Sequence, residues 1–326
     1  LLGTLLLMLP ISSRTGEFTS FADALFTSTS TVCVTGLIVF DTATYWSLFG
    51  QFVIMLLIEI GGMGVITVAA SFAMIAGRKI SLMQRSTMQE AIAAPKVGGI
   101  VRLTIFVIKA TLMIELLGAV AMSPVFCRDF GIKGLWMALF HSVSAFCNAG
   151  FDLMGVKSPF SSLTFYADEP LINFPIMLLI IIGGIGFLTW DDIRANRFHI
   201  HKYRMQSKVI ISTTAILILI PALYFYFFEF SDLGLKERIF SSLFQSVTPR
   251  TAGFNTVDLT SMSEAGKFIT IILMLIGGSP GSTAGGMKTT TIAVLFAIAI
   301  ATFRRREDAN FFGRRINGDV LKNAAT

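Results

Sequence analysis

Long apolar stretches separated by short polar segments are the main pattern along this 326-residue chain. Stretches that approach the roughly 20 residues of a transmembrane helix lie at 48–76, 100–126, 171–190 and 208–228, and residues 1–11 look like the end of another. A further apolar run, 268–303, is interrupted by the glycine- and serine-rich segment 277–286. Because unpaired backbone is too costly in lipid, this segment must line a cavity or pack inside protein.

Three shorter apolar segments, at 21–32, 134–147 and 239–248, follow turn-forming polar residues. Each is about ten residues long, which is too short to cross a bilayer. These segments are therefore predicted to be re-entrant helices.

The short segments belong to an internal repeat. ALFTSTSTVCVTGL starts at Ala24 and ALFHSVSAFCNAGF at Ala138, and SLFQSVTPRTAGF from Ser242 follows the same plan with one residue fewer. The apolar segments that follow them also correspond, as LLIEIGGMGVIT, LLIIIGGIGFLT and LMLIGGSPGST. Repetition of the same order three times predicts units of span, re-entrant loop and span.

The loop glycines of these units are Gly36, Gly150 and Gly253, spaced by 114 and 103 residues. We therefore place repeat 1 at 1–77, repeat 2 at 78–190 and repeat 3 at 191–303. The fold class predicted is an all-α integral membrane protein, with repeated helix, pore-loop and helix units around a central pore, as in potassium channels.

The loops suit the chemistry of a dehydrated monovalent cation, which needs a ring of oxygens in place of its water shell. Backbone carbonyls supply such oxygens without a fixed charge, and glycine permits the backbone angles that turn them toward one axis. The negative end of each short helix dipole also favours a cation. The predicted filter residues are Val34, Thr35, Gly36, Asn148, Ala149, Gly150, Thr251, Ala252 and Gly253.

Composition and charge agree with a membrane protein that is open to cations. Hydrophobic residues make up 54% of the chain and charged residues 14%, and the formal net charge is +6. The linkers 78–102, 191–208 and 304–326 hold 16 Lys or Arg against 6 Asp or Glu, whereas the segments around the short helices hold 8 against 12. The positive-inside bias thus makes the linkers cytoplasmic and the short helices open to the outside. We expect no nucleic-acid partner.

Three carboxylates, Asp41, Asp152 and Asp258, follow the loops and would raise the local cation concentration, unless they are ordinary solvated loop residues. Basic residues at 304–306 and at 314–315 either contact anionic lipid or an acidic cytosolic partner, or anchor the topology at a helix end.

Four charged residues lie inside apolar segments, where a charge usually faces a cavity or a partner: Glu59, Lys109, Glu115 and Lys288. Lys288 either lies in the ion path or anchors the adjacent loop by pairing with a carboxylate. Glu115 is not expected to pair with Lys109, because six residues separate them on a helix. Glu59 is expected to make an interhelical contact.

Other candidate chemistry is weak. The cysteines Cys33, Cys127 and Cys147 show no ligand spacing, so potassium is the only metal that the sequence predicts. No nucleophile, base or metal set supports an enzyme, and Asp191-Asp192 lacks partners at sensible spacing. The glycines inside the second helices serve either close packing or gating: Gly61, Gly62, Gly64, Gly183, Gly184 and Gly186.

CVTGL from Cys33, CNAGF from Cys147 and TPRTAGFN from Thr248 resemble the first three filter loops of the Trk/Ktr/HKT superfamily of potassium transporters, and of its Ktr branch in particular. GGSPGSTAGGMKTTT from Gly277 resembles the intramembrane loop beneath that filter. The gate loop so assigned comprises Gly277, Gly278, Ser279, Pro280, Gly281, Ser282, Thr283, Ala284, Gly285, Gly286 and Lys288.

The resemblance implies a multi-pass plasma-membrane homodimer with one potassium pathway per subunit, gated by the loop at 277–291. It also implies regulation by a cytosolic ring of nucleotide-binding RCK subunits, with sodium as a candidate activator. No cofactor is expected in this chain. The family has four repeats, so 304–326 is expected to be a cytoplasmic linker to a fourth repeat that is absent from this chain. The alternative left open is a sodium-coupled, alternating-access cation symporter.

Overall fold

The computed structural model describes residues 1–64, 67–68, 82–92, 99–197, 199–305, 310–312 and 314–315, and these residues form a helical protein. The helices are α1 (Leu2–Met8), α2 (Phe21–Val32), α3 (Thr42–Tyr45), α4 (Leu48–Met63), α5 (Leu82–Ile92), α6 (Ile100–Phe130), α7 (Lys133–Phe146), α8 (Pro170–Gly184), α9 (Phe187–Asn196), α10 (Met205–Tyr224), α11 (Leu235–Val247), α12 (Glu264–Leu275) and α13 (Thr289–Phe303). A π-helical turn, Phe225–Glu229, extends α10. Two short strands, Asn310–Phe311 and Arg314–Arg315, pair antiparallel.

Two helices are long and apolar enough to cross a membrane by themselves, Ile100–Phe130 and Met205–Glu229, within the described part of the chain. The bent pair α8 and α9 would add a third. On α6, Leu112, Leu116 and Val120 are each more than half exposed. An outward apolar stripe of this kind is what lipid-facing helices require.

The short helices form where the sequence predicts them. Helices α2 and α7 match the segments 21–32 and 134–147 to within a residue. Helix α11 begins at Leu235, one turn before the predicted 239, because its first turn is polar and does not register as apolar. Ser20 caps α2 by accepting a hydrogen bond from the backbone N–H of Asp23.

The segment 171–190 is not one continuous helix but two helices that meet at a sharp bend. Helix α8 ends at Gly184, and α9 leaves it at an angle of 98°. Gly186, at φ 88°, makes the bend, and the N–H of Phe187 binds the carbonyl of Gly281. The segment 277–288 therefore supplies hydrogen bonds that a continuous helix would have formed internally.

The interrupted run 268–303 is confirmed as two helices, α12 and α13, around an irregular segment. The first span, 48–76, begins as α4 and is described as helix to Met63; its residues 65–66 and 69–76 lie outside the described part. The span 100–126 continues as α6 to Phe130. The main core forms where α2 packs against α1 and α4, and where α7 packs against α6 and α8.

Candidate cation pathway

Helix α2 ends in a Schellman motif that shapes the first loop. The N–H of Val34 binds the carbonyl of Thr31 over 3.2 Å, and the N–H of Thr35 binds that of Ser30 over 2.8 Å. The motif places Val34 in the left-handed region, at φ 55°. A β-branched residue pays a steric cost there, so the surrounding contacts must hold this conformation in place.

Helix α7 ends in the same way. Asn148 and Ala149 donate to the carbonyls of Ala145 and Ser144, over 3.1 and 2.8 Å, and Asn148 has φ 56°. The hydroxyl of Ser144 then donates to the carbonyl of Phe151 over 2.6 Å, which bridges the base of the loop. The second loop is therefore fixed at both ends by its own short helix.

The third loop uses different local contacts. The N–H groups of Ala252 and Gly253 both bind the carbonyl of Thr248, over 3.0 and 3.1 Å. The hydroxyl of Thr248 donates to the carbonyl of Phe254 over 2.6 Å, which corresponds to the bridge in the second loop. Thr251 is left-handed, at φ 74°.

All three loops share one alternation of backbone conformation. The first and third residues of each predicted triplet have positive φ, and the middle residue does not: Val34 and Gly36, Asn148 and Gly150, Thr251 and Gly253. The first two loops, which share a hydrogen-bond pattern, and the third, which does not, thus have the same alternation of φ.

The loops also lie side by side. A Cβ built on Gly36 would lie 2.6 Å from the carbonyl oxygen of Ala149, and one built on Gly150 would overlap the carbonyl oxygen of Ala252. The middle carbonyl of each later loop therefore faces the glycine of the loop before it. Loops more than a hundred residues apart in sequence converge on one location.

The segment 277–288 folds back on itself. The N–H of Gly277 binds the carbonyl of Met287 over 3.0 Å, and the N–H of Gly278 binds that of Gly285 over 3.1 Å. The N–H of Thr289, the first residue of α13, binds the carbonyl of Gly278. These contacts satisfy a backbone that would otherwise be unpaired at membrane depth.

The folded segment rests on the end of α8. The N–H groups of Ser279 and Thr283 bind the carbonyls of Gly184 and Gly183, over 2.9 and 3.2 Å. Because the last carbonyls of a helix lack internal partners, this end of α8 is a natural acceptor for the segment. The unpaired carbonyls of a helix end and the unpaired N–H groups of an irregular loop thereby form hydrogen bonds with each other.

Thr283 also contacts the second loop directly. Its hydroxyl donates to the carbonyl of Phe146, the last residue of α7, over 2.9 Å, and accepts from the side-chain amide of Asn148 over 2.8 Å. Thr283 and Asn148 are both buried. The segment 277–288 is thus in hydrogen-bond contact with a residue of a predicted filter triplet.

Two basic side chains donate hydrogen bonds to backbone carbonyl oxygens of this segment. The ammonium of Lys288 donates to the carbonyl of Ala284 over 3.0 Å. Of the two alternatives for Lys288, pairing with a carboxylate is not found within the described residues, where its ammonium binds a backbone carbonyl instead. Arg250, which is only 7% exposed, donates to the carbonyl of Gly277 over 3.3 Å.

Arg250 lies in the motif TPRTAGFN, but the sequence alone assigns it no role. The signal was present, because an arginine between Pro249 and Thr251 stands in an otherwise small and apolar loop. A buried guanidinium without a carboxylate needs carbonyl acceptors, and the segment 277–288 offers one. Arg250 therefore connects the third loop to the segment beneath it.

The outer carboxylates differ in their surroundings. The carboxylate of Asp41 is buried and accepts from the N–H groups of Ala43, Thr44 and Phe160. Asp258 is exposed and caps a turn at Thr260, whose hydrogen bonds lower the pKa of this carboxyl group. Hydrogen bonds from backbone donors favour the ionised form, so both alternatives for these residues, a cation-attracting charge and an ordinary loop residue, stay open.

Asp152 lies two residues beyond Gly150, and it accepts from the N–H of Met154 over 2.8 Å. Burial, together with the smaller effect of the neighbouring Asp41 carboxylate, raises the pKa of this carboxyl to about 6. Asp152 therefore changes charge near neutral pH.

The paired glycines in the second helices pack closely against the short helices. A Cβ on Gly61 would overlap the carbonyl of Val32, the last residue of α2, and one on Gly183 would overlap that of Phe146, the last residue of α7. This correspondence favours the packing interpretation for these two positions. Glu59 makes the expected interhelical contact, with the thiol of Cys147 over 3.5 Å.

Comparison with known proteins identifies the family. The sequence model of the TrkH family, which is described as a cation transport protein, matches residues 2–326. The chain belongs to the TrkH family of cation transport proteins. Homologues of this family are transporters and not enzymes, in agreement with the prediction from sequence.

Two relatives of the TrkH family cover nearly the whole chain. The potassium/sodium uptake protein NtpJ of Enterococcus hirae is 44% identical, over 100% of this chain and 72% of its own length. The Ktr system potassium uptake protein B of Bacillus subtilis is 39% identical, over 99% of this chain and 73% of its own length. The resemblance to the Ktr branch is thereby confirmed.

The fold has a counterpart among solved structures. The crystal structure of the potassium transporter TrkH from Vibrio parahaemolyticus superposes with a TM-score of 0.71 at 21% identity, over 94% of this chain. The chain spans 62% of the length of that structure. The predicted all-helical membrane fold and the multi-pass membrane location are confirmed.

Proposed function

We propose that this chain carries potassium across the plasma membrane through a selectivity filter of backbone carbonyls in its three glycine loops. The observation that carries the proposal is the alternation of positive φ at the first and third residue of every triplet. Such alternation turns successive carbonyls of one loop toward the same side, where they replace the water shell of a cation. Relatives named as potassium uptake proteins support the choice of ion.

The segment 277–288 is the gate in this proposal. It is held in place by hydrogen bonds from Thr283 to Phe146 and from Arg250 to Gly277, and the bond from Lys288 to Ala284 lies within the segment itself. Each of these bonds is replaceable by water, so the segment can leave its site without exposing a permanent charge pair. Transport then requires that it move away from the second loop.

The proposed assembly is a homodimer with one pathway per subunit, regulated by a cytosolic ring of nucleotide-binding RCK subunits. The similarity to proteins named as components of Ktr systems supports this arrangement. The basic linkers give a cytoplasmic face that acidic regulatory subunits or anionic lipid could contact.

The test is potassium and sodium uptake by proteoliposomes containing the full-length protein. Gly36→Ser and Gly150→Ser place a side chain against a neighbouring carbonyl, and Gly253→Ser forces a serine to φ 82°. We expect each to lower the preference for potassium over sodium at least tenfold. Gly234→Ala is the matched control, because no atom lies within 4 Å of its added Cβ. Unchanged preference in the three serine variants would refute the filter.

The second candidate is a sodium-coupled symporter, favoured by the name of the Enterococcus hirae relative as a potassium/sodium uptake protein. Coupling predicts that potassium uptake saturates with a fixed stoichiometry of sodium entry. Single-channel currents in planar bilayers would exclude coupling and support the passive pathway.

A further inference from the structure

Two carboxylates and a thiol from three different helices meet directly behind the second loop. Glu59 lies on α4, Glu115 on α6, and Cys147 is the residue that ends α7. One ligand atom of each, two carboxylate oxygens and Sγ, lies within 4.8 Å of the others. We name these three residues the Glu-Glu-Cys cluster.

Independent backbone contacts hold the three helices at this point. Gly62 leaves space for the thiol, since an added Cβ would lie 2.5 Å from Sγ of Cys147. The hydroxyl of Ser142 on α7 donates to the backbone carbonyl of Glu115 on α6 over 2.6 Å. A hydrogen bond that is independent of the cluster side chains thus joins α6 to α7, and close packing of Gly62 against Cys147 brings α4 to the same point, as a preorganised site requires.

The cluster has no basic partner among the described residues: no lysine or arginine there forms an ion pair with Glu59 or Glu115. Glu115 is 3% exposed, and one oxygen of each carboxyl group has no hydrogen-bond partner. The other oxygens hydrogen-bond each other, which requires a proton between the two groups. A cation that replaces this proton is stabilised by both groups in apolar surroundings.

We propose that the Glu-Glu-Cys cluster binds one divalent cation of borderline-soft character, of the Zn²⁺ class. Such ions take thiolate sulfur and carboxylate oxygen in the same site, whereas the hard ions Mg²⁺ and Ca²⁺ take oxygen only. The thiol proton is released to water when the thiolate binds, so the dication offsets two of the three negative charges of the cluster. A cavity of about 340 Å³ reaches both carboxylates, and Met55 on its wall offers a further soft sulfur atom.

The ion would connect α4, α6 and α7 at one point. Cys147 directly precedes Asn148, the first residue of the second filter triplet. Binding therefore stiffens the support of that loop, and it lowers the rate of potassium transport if the loop must adjust as ions pass. Binding itself does not depend on the transported ion, so it can be tested apart from the proposed function.

The experiment measures cadmium binding to the purified full-length protein in detergent, because Cd²⁺ is a spectroscopic substitute for Zn²⁺. We expect one Cd²⁺ per chain, with a thiolate-to-cadmium absorption band. With Zn²⁺ bound, X-ray absorption should show one sulfur neighbour at about 2.3 Å. Cys147→Ser should abolish the band, and Glu115→Gln should weaken binding at least tenfold. Cys33→Ser and Cys127→Ser are the matched controls, since neither cysteine belongs to the cluster.

Three outcomes would overturn the proposal. The wild-type protein could bind no stoichiometric Cd²⁺ or Zn²⁺, in which case the two carboxyl groups share a proton instead. The band could persist in Cys147→Ser, or it could disappear in Cys127→Ser. Size-exclusion chromatography checks that each variant is folded, and the nearly isosteric Glu115→Gln keeps the test decisive if Cys147→Ser does not fold.

Discussion

The side-chain amide of Asn148 donates a hydrogen bond to the hydroxyl of Thr283 over 2.8 Å, although 135 residues separate them in sequence. The same hydroxyl donates to the carbonyl of Phe146. One side chain of the proposed gate thus contacts both the end of a short helix and the filter triplet that follows it. Movement of the gate must break these bonds.

The first prediction concerns this hydroxyl. Thr283→Val keeps the shape of the side chain and removes both hydrogen bonds, each of about 1 kcal/mol. We expect the gate to open more readily and potassium uptake without regulatory subunits to rise about fivefold or more. Thr283→Ser, which keeps the hydroxyl, should behave like the wild type. Equal uptake by the valine and serine variants would mean that these bonds do not hold the gate.

Adjacent glycines in α8 provide a matched pair. Gly183→Ala places a methyl group on the carbonyl of Phe146, and overpacking of this kind costs about 1 to 3 kcal/mol. Gly184→Ala meets no atom within 4 Å. We expect a lower apparent melting temperature in detergent for the Gly183 variant only. Equal melting temperatures would show that the contact between α7 and α8 is not as tight as the structure indicates.

The adjacent carboxylates Asp191 and Asp192 also differ in burial. Asp192 is 3% exposed and accepts hydrogen bonds from the hydroxyl of Ser207 and the backbone N–H of Arg204. Asp192→Asn should destabilise the protein by about 2 kcal/mol, because its buried charge-assisted bonds are weakened. Asp191→Asn removes only a partly exposed ion pair with Arg204, worth about 1 kcal/mol or less. Thermal unfolding of the two variants in detergent measures the difference.

The raised pKa of Asp152 leads us to expect that protein stability and potassium uptake both depend on pH. Its pKa is raised from 3.8 to about 6, so the folded protein binds this proton more tightly than the unfolded chain. Stability conferred by that proton is therefore full below about pH 4 and is lost as the pH rises through 6. In transport, loss of the negative charge below pH 6 should lower potassium uptake about twofold at low ionic strength. Asp152→Asn should remove this pH dependence, and its persistence in that variant would assign it to another group.

Hydrophobic pattern alone located the helices that form from nearby residues. The segments 21–32 and 134–147 became α2 and α7 almost unchanged, because a short apolar helix that is followed by a glycine loop is decided locally. The interrupted run 268–303 was also recognisable, since glycine and proline cannot continue an apolar helix. Repetition of the motif then indicated three loops of one kind.

The hydrophobic pattern did not predict the helix break that forms where a distant segment binds the backbone of a helix. The apolar run 171–190 holds no charged residue, yet it bends by 98° after Gly184. The carbonyls of Gly183 and Gly184 bind the segment 277–288 instead, about a hundred residues later in the chain. No local signal distinguishes this break from ordinary small-residue packing.

By itself, the sequence determined which segments avoid water, which loops carry glycine and which linkers are basic, because these properties follow from residue type and spacing. The tertiary structure alone decided which groups meet. Arg250 binds Gly277, Lys288 binds a carbonyl rather than a carboxylate, and Glu59 lies beside Glu115 and Cys147. Such contacts depend on how helices pack in three dimensions, and the energy of a buried polar group depends on the partner that this packing provides.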